Sequence, residues 1–158
     1  MNKLELSYLA GFIDGEGCIG LSWIKAYGKR ANNTTPFLQI RLSVTNCKRL
    51  PLDICRTNFG GCVTPHHKFD IKSNQKECWR WTLSSLKALN AIKKLYPYLL
   101  IKKPQADLIF KFAKTFNKKF IIYKHINGRI VSNKVDLKIL EKRRQIAKKL
   151  NILNKQGL

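Results

Sequence analysis

Two carboxylates, Asp14 and Glu16, stand two residues apart in a chain with nine acidic residues against thirty-one Lys and Arg. They close the run Leu9-Ala10-Gly11-Phe12-Ile13-Asp14-Gly15-Glu16-Gly17, which is apolar or small up to Ile13. Acids so placed need a reason in a sequence that otherwise avoids them. Ser7, Gly11 and Gly15 recur at every fourth position, a stripe of small residues along one helix face. Such a stripe lets two backbones approach closely, as in paired membrane helices. If that face packs on its own copy about a two-fold axis, both Glu16 carboxylates converge at the foot of the helix pair. Converging carboxylates repel unless a hard cation lies between them, and Mg²⁺ suits oxygen ligands. Beside a surface that binds a polyanion, the chemistry suggested is metal-assisted phosphodiester hydrolysis. Spacing alone reads equally well as a glycine-terminated helix with a solvated acidic pair beyond it.

The polyanion follows from charge. The formal net charge is +22 over 158 residues. A folded domain this basic repels itself unless something neutralises it. The common partner is nucleic acid, whose condensed counterions Lys and Arg displace. Charge does not distinguish DNA from RNA, and a ribosomal protein or a solvated basic surface shares it. With 44% hydrophobic and 10% aromatic residues, the chain reads as a folded domain and not as a basic tail. No apolar run reaches the roughly 18 residues of a membrane span, so no membrane partner is expected. Residues 1–5 also lack the apolar core of a signal peptide. The five cysteines (Cys18, Cys47, Cys55, Cys62, Cys78) are odd in number and form no CxxC pair. They suggest reduced thiols in an intracellular compartment (cytoplasm, nucleoid or organelle matrix), not a disulfide framework or zinc ribbon.

The elements that must position these groups are legible from periodicity. Residues 4–14 read as a helix stopped by Gly15 and Gly17. Strands are expected over 18–25 and 37–46, the second with Leu38, Ile40, Leu42 and Val44 inward and Gln39, Arg41, Ser43 and Thr45 outward. A helix over 48–58 accepts Pro51 in its first turn. Strands at 62–69 and 78–83 flank a polar turn, the latter with Trp79, Trp81 and Leu83 inward. Ser84 or Ser85 caps a helix to about Tyr96, and another spans 104–116. The order is α-β-β-α-β-β-α-α: an α+β fold with helices on one face of a mixed sheet. Residues 120–131 suggest a hairpin around Asn127-Gly128. Residues 134–152 read as a basic amphipathic helix with Asn133 as its cap. From 102 to 158 there are 16 basic and 3 acidic residues, +13 of the total, which suits a grip on phosphates or a solvated helix face.

The run Leu9–Gly17 resembles the nine-residue motif of the LAGLIDADG homing endonucleases, with Phe12, Gly15 and Glu16 as variants. A strand ending in Val44-Thr45-Asn46 and the run Tyr98–Ala106 are similar to further landmarks of that family. The resemblance covers about residues 4 to 116. It implies an α-β-β-α-β-β-α core at 1–117, whose saddle-shaped antiparallel sheet sits in the DNA major groove. Residues 118–158 would be a basic C-terminal helical extension. The resemblance also implies that Glu16 holds the metal, Mg²⁺ or Mn²⁺ in its place, with the carbonyl of Gly15 also facing it. Asp14 would serve helix-end hydrogen bonding. Asn46 would stand near the metal-bound water where relatives carry Gln, and Lys102 would steady that water or the scissile phosphate. Pro104 stands where some relatives carry Lys, leaving Lys103 to supply that charge. Ser7, Gly11 and Gly15 would form the dimer interface.

The outward strand residues are the candidate DNA contacts: Arg41 and Arg80 to guanine edges, Gln39 to adenine, with Ser22, Ser43, Thr64, His66 and Thr82 on the same face. A half-solvated sheet shows a polar face too. One motif in the chain implies a homodimer that cuts both strands of a long near-palindromic site, leaving short 3′ overhangs, and encoded within an intron. Two alternatives share the fold: a maturase that binds intron RNA, held by backbone and shape, and a catalytically silent DNA-binding regulator.

Overall fold

In the computed structural model the described residues are 1–24, 37–66, 77–116, 123–126, 129–132 and 137–155, the 123–126 and 129–132 strands by backbone only. The first helix, α1, spans Lys3–Glu16. Its start is set by a capping box: Asn2 Oδ1 accepts the Glu5 N–H at 2.9 Å, and Glu5 returns by accepting the Asn2 N–H at 2.8 Å. Gly15 does not stop it. An exposed helical glycine costs only about 1 kcal/mol against alanine, so the helix carries Gly15 to Glu16. The turn falls on Gly17 instead, where a Cβ would lie 2.6 Å from the Ile13 carbonyl oxygen. Only glycine lets the chain pass from helix to strand there without a loop. That junction leaves Glu16 at the mouth of the first strand.

Strands β1 (Gly17–Ile24), β2 (Phe37–Asn46), β3 (Cys62–Pro65) and β4 (Trp79–Ser84) form one antiparallel sheet in the order β1-β2-β4-β3. Helix α2 (Leu50–Phe59) links β2 to β3. Helices α3 (Ser85–Leu95), α4 (Lys103–Ala113) and α5 (Leu137–Lys155) follow, with the β5–β6 hairpin (Tyr123–Ile126, Arg129–Ser132) ahead of α5. The apolar sheet face (Ile19, Leu38, Ile40, Leu42, Val44, Trp81, Leu83) is buried under Leu9 and Ile13 of α1, Leu52 of α2, Ile92 of α3 and Ile109 of α4. Each such side chain contributes about 1.5–3 kcal/mol on burial, which makes this layer the main stabilising contact. Ile146 and Leu150 of α5 join the same core. No described helix is long and apolar enough to cross a membrane.

Several expected boundaries move. The third strand ends at Pro65 and not at 69, with His66 adding one backbone bond to the Cys78 carbonyl at 2.8 Å. Residues 67–69 lie outside the described ones. The helix expected from 104 begins at Lys103 and gives way at 114–116 to a 3-10 turn. Ser84 caps α3 by position only, without a side-chain hydrogen bond. Ser85 takes φ +57, and its hydroxyl accepts from Gln39 Nε2 at 2.7 Å. Helix α5 runs to Lys155, three residues past the expected end. Asn133, its expected cap, lies outside the described residues. At Gly61, φ is +87 and a Cβ would meet the Thr82 carbonyl at 2.5 Å, which fixes glycine between α2 and β3.

Candidate active site and nucleic-acid interface

The two motif acids part company. Asp14 is buried, and its carboxylate accepts three backbone N–H groups from the segment before α4. Oδ2 takes those of Leu100 (2.6 Å) and Ile101 (3.2 Å), and Oδ1 that of Lys102 (2.9 Å). Lys102, also buried, donates its ammonium to the Asp14 carbonyl oxygen. That carbonyl belongs to the last turn of α1, where a cation meets the negative end of the helix dipole. Asp14 therefore ties the end of α1 to the start of α4. Glu16, two residues on, is exposed.

Glu16 opens into a cavity of about 450 Å³ on the polar face of the sheet. Register explains which residues share that face. Ser22 pairs with Gln39, Gly20 with Arg41, Cys18 with Ser43, Ser43 with Thr82, and Thr64 with Arg80. Directly opposed residues project to the same side, so Ser22, Gln39, Arg41, Ser43, Thr64, Arg80 and Thr82 form one surface, as alternation predicted. Arg80 donates to Thr45 Oγ1 at 3.1 Å and lies 3.0 Å from His66 Nε2. A guanidinium cannot accept, so Nε2 is the acceptor and the His66 proton sits on Nδ1. Gln39 is held by Ser85, which orients its amide. Arg41 Nε is buried and has no hydrogen-bond partner among the described residues.

Of the three expected catalytic side chains, Glu16 alone lines the cavity. Asn46 has the inward parity of β2, opposite Trp79, and its Oδ1 accepts the Lys48 N–H at 2.7 Å. Thr45, its neighbour, lines the cavity together with Arg41 and Ser43 of the same strand. The Lys102 ammonium is occupied by the Asp14 carbonyl, and Lys103 points elsewhere, with Nζ 6.0 Å from the centroid of the Tyr96 ring. Sequence reasoning missed six lining residues besides Thr45: Cys18, Gly20, Leu21, Asn151, Asn154 and Lys155. The alternation that exposes Ser22 and Ser43 also exposes Cys18 and Thr45 and could have found them. Nothing in the pattern of α5 announces where its end docks.

Ser7, Gly11 and Gly15 all lie on the exposed side of α1, and a Cβ at either glycine would meet nothing within 4 Å among the described residues. Leu4 and Tyr8 are exposed on the same helix, Leu4 by 82%. Among the described residues no three His, Cys, Asp or Glu side chains gather as metal ligands. A single chain thus offers the Glu16 carboxylate, with the Gly15 carbonyl among the four at the helix end that lack intrahelical partners. Both are hard oxygen donors. They suit Mg²⁺, which takes one or two carboxylates and completes its shell with water and phosphate oxygens.

The LAGLIDADG endonuclease family model matches residues 9–116, and the chain belongs to that family. Its fold is that of solved homing endonucleases. I-CvuI in complex with its target gives a TM-score of 0.67 at 22% identity, covering 95% of this chain and 82% of that one. The archaeal intron-encoded I-Vdi141I complexed with DNA gives 0.62 at 20% identity, over 95% and 84% of the two chains. I-SmaMI bound to uncleaved DNA in the presence of calcium gives 0.60 at 19% identity, over 96% of this chain but 45% of that one. No curated protein sequence matches the chain.

Proposed function

We propose that this chain is a homodimeric, divalent-metal-dependent endonuclease that makes a double-strand break in a long, near-palindromic DNA site, leaving short 3′ overhangs, and that it is intron-encoded. The carrying observation is the open glycine face of α1 that ends on the exposed Glu16. Glycines inside a helix cost about 1 kcal/mol each, and among the described residues nothing uses the space they leave. A second copy of α1 across a two-fold axis uses it and brings a second Glu16 to the same place. The proportions agree. The chain spans 82% of I-CvuI but 45% of I-SmaMI, which leaves room in the longer protein for the fold twice.

In this reading Glu16 and the Gly15 carbonyl hold Mg²⁺, with Mn²⁺ able to replace it. I-CvuI was crystallised with DNA in the presence of Mg or Ca. Bound there, the ion supplies charge neutralisation and an activated water for phosphodiester hydrolysis. Lys102 acts through Asp14, fixing the end of α1 and so the position of Glu16. Arg41, Arg80, Gln39, Ser22, Ser43, Thr64, His66 and Thr82 meet base edges and phosphates from the sheet, and the dimer doubles that surface along one duplex.

Selection of cut sites from a randomised duplex library tests this. With Mg²⁺ the unaltered protein yields double-strand cuts at a near-palindromic sequence. Glu16→Gln or chelation lowers cutting at least about 100-fold while duplex binding persists. Undiminished cutting by Glu16→Gln would overturn the assignment.

A further inference from the structure

The chain beyond residue 116 lies outside the family match, yet one of its elements reaches the cavity of Glu16. Helix α5 is fastened at three levels. Arg143 donates through Nε to Thr115 Oγ1 and through NH2 to the Thr115 carbonyl, both at 2.8 Å, with its guanidinium 4.1 Å above the Phe116 ring. Ile146 and Leu150 are buried in the core. Asn154 Nδ2 donates to the Ile19 carbonyl of β1 at 3.1 Å. From Arg143 to Asn154 the anchors span roughly 16 Å of helix, so its end cannot swing out without breaking contacts along its length.

The fastened end stands as a wall of the cavity. Asn151, Asn154 and Lys155 line it together with Glu16, Arg41 and Arg80. Three cations and one carboxylate therefore share the lining of this cavity. The buried Nε of Arg41 is a donor with no acceptor among the described residues, and such a donor gains most from an anion that enters. The carbonyl end of a helix repels anions, but Lys155 occupies the last turn of α5 and reverses the local sign. We propose that Lys155, Asn151 and Arg41 form a phosphate-binding site that seats one backbone phosphodiester of the bound nucleic acid beside Glu16. The tail is then part of the cleavage site. This rests on the nuclease reading above and adds the C-terminal helix to it.

The probe is a short fluorescent duplex of random sequence, titrated with the full chain over a series of KCl concentrations. Lys155→Gln is expected to reduce the slope of log affinity against log salt by about one, the signature of a lost phosphate contact. Lys155 is exposed, so the variant keeps the fold. In parallel, acetylation of lysines read by mass spectrometry shows Lys155 protected several-fold by the duplex, while Lys3, at the far end of α1, reacts as in the free protein. Millimolar inorganic phosphate in place of duplex gives no such protection. Protection by inorganic phosphate alone reassigns the site to free anions and overturns the proposal. If the duplex binds but neither slope nor protection changes at Lys155, the site is wrong and the nuclease reading stands. If the unaltered protein binds no duplex, both fall.

Discussion

Asp14 and Glu16 are chemically alike and two residues apart, yet one is sealed and the other open to the cavity. The difference is tertiary. Asp14 meets three N–H groups from residues 100–102, more than eighty positions away. Asp14→Asn places an N–H against those donors and leaves at least one unpaired, which costs about 1–3 kcal/mol. Urea unfolding reads that loss. Cleavage falls further than stability alone explains, because Lys102 rides on the same segment. The presence of an acidic pair at the end of an apolar helix was legible; which acid is buried was reached only through the family resemblance. A different buried group gives a pH prediction. Burial pushes the Cys55 thiol from 9.0 up to about 12. The unfolded chain releases that proton first, so stability present below pH 9 is lost as pH climbs from 9 to 12. Denaturation midpoints across that window should fall, and less steeply for Cys55→Ala.

At the scale of elements, α1 serves two surfaces. Leu9, Ala10 and Ile13 fill the core, while Ser7, Gly11 and Gly15 face outward, the two glycines with open space before them among the described residues. Gly11→Leu therefore leaves the protomer folded, with a melting temperature unchanged or raised by the better helix former. The same change keeps two copies apart. Sedimentation should show a monomer, and cleavage should vanish with it. A dimer that survives Gly11→Leu would remove the interface from this helix. Alternation made β2 and β4 plain in the sequence, since one face of each is buried and the other polar. The boundaries were harder: the end of α1 is decided by the close approach of Gly17 to Ile13, and that of β3 by how far β4 extends alongside it. Local periodicity carries neither.

For the whole molecule, the +22 charge and the polar sheet face argue for binding dominated by phosphate contacts. Duplex affinity should fall by at least about 10³ between low and physiological salt if six or more phosphates are neutralised. A weak salt dependence would move the basic surface to some other use. The docking of α5 was illegible because the partners of Arg143 and Asn154 lie on α4's exit and on β1, far away in sequence. Arg143→Ala should cost about 1–3 kcal/mol and loosen the tail, seen as faster amide exchange in α5. Asn154 also holds a flank of the sheet. β1 is an eight-residue outer strand, and β3, on the other side, has only four residues. An uncovered outer strand offers its free backbone groups to any other chain, and a long one invites stacking into aggregates. A chain cut short before α5 should therefore be prone to precipitate, and the tail that reaches the Glu16 cavity doubles as the guard that keeps neighbouring molecules from extending the sheet.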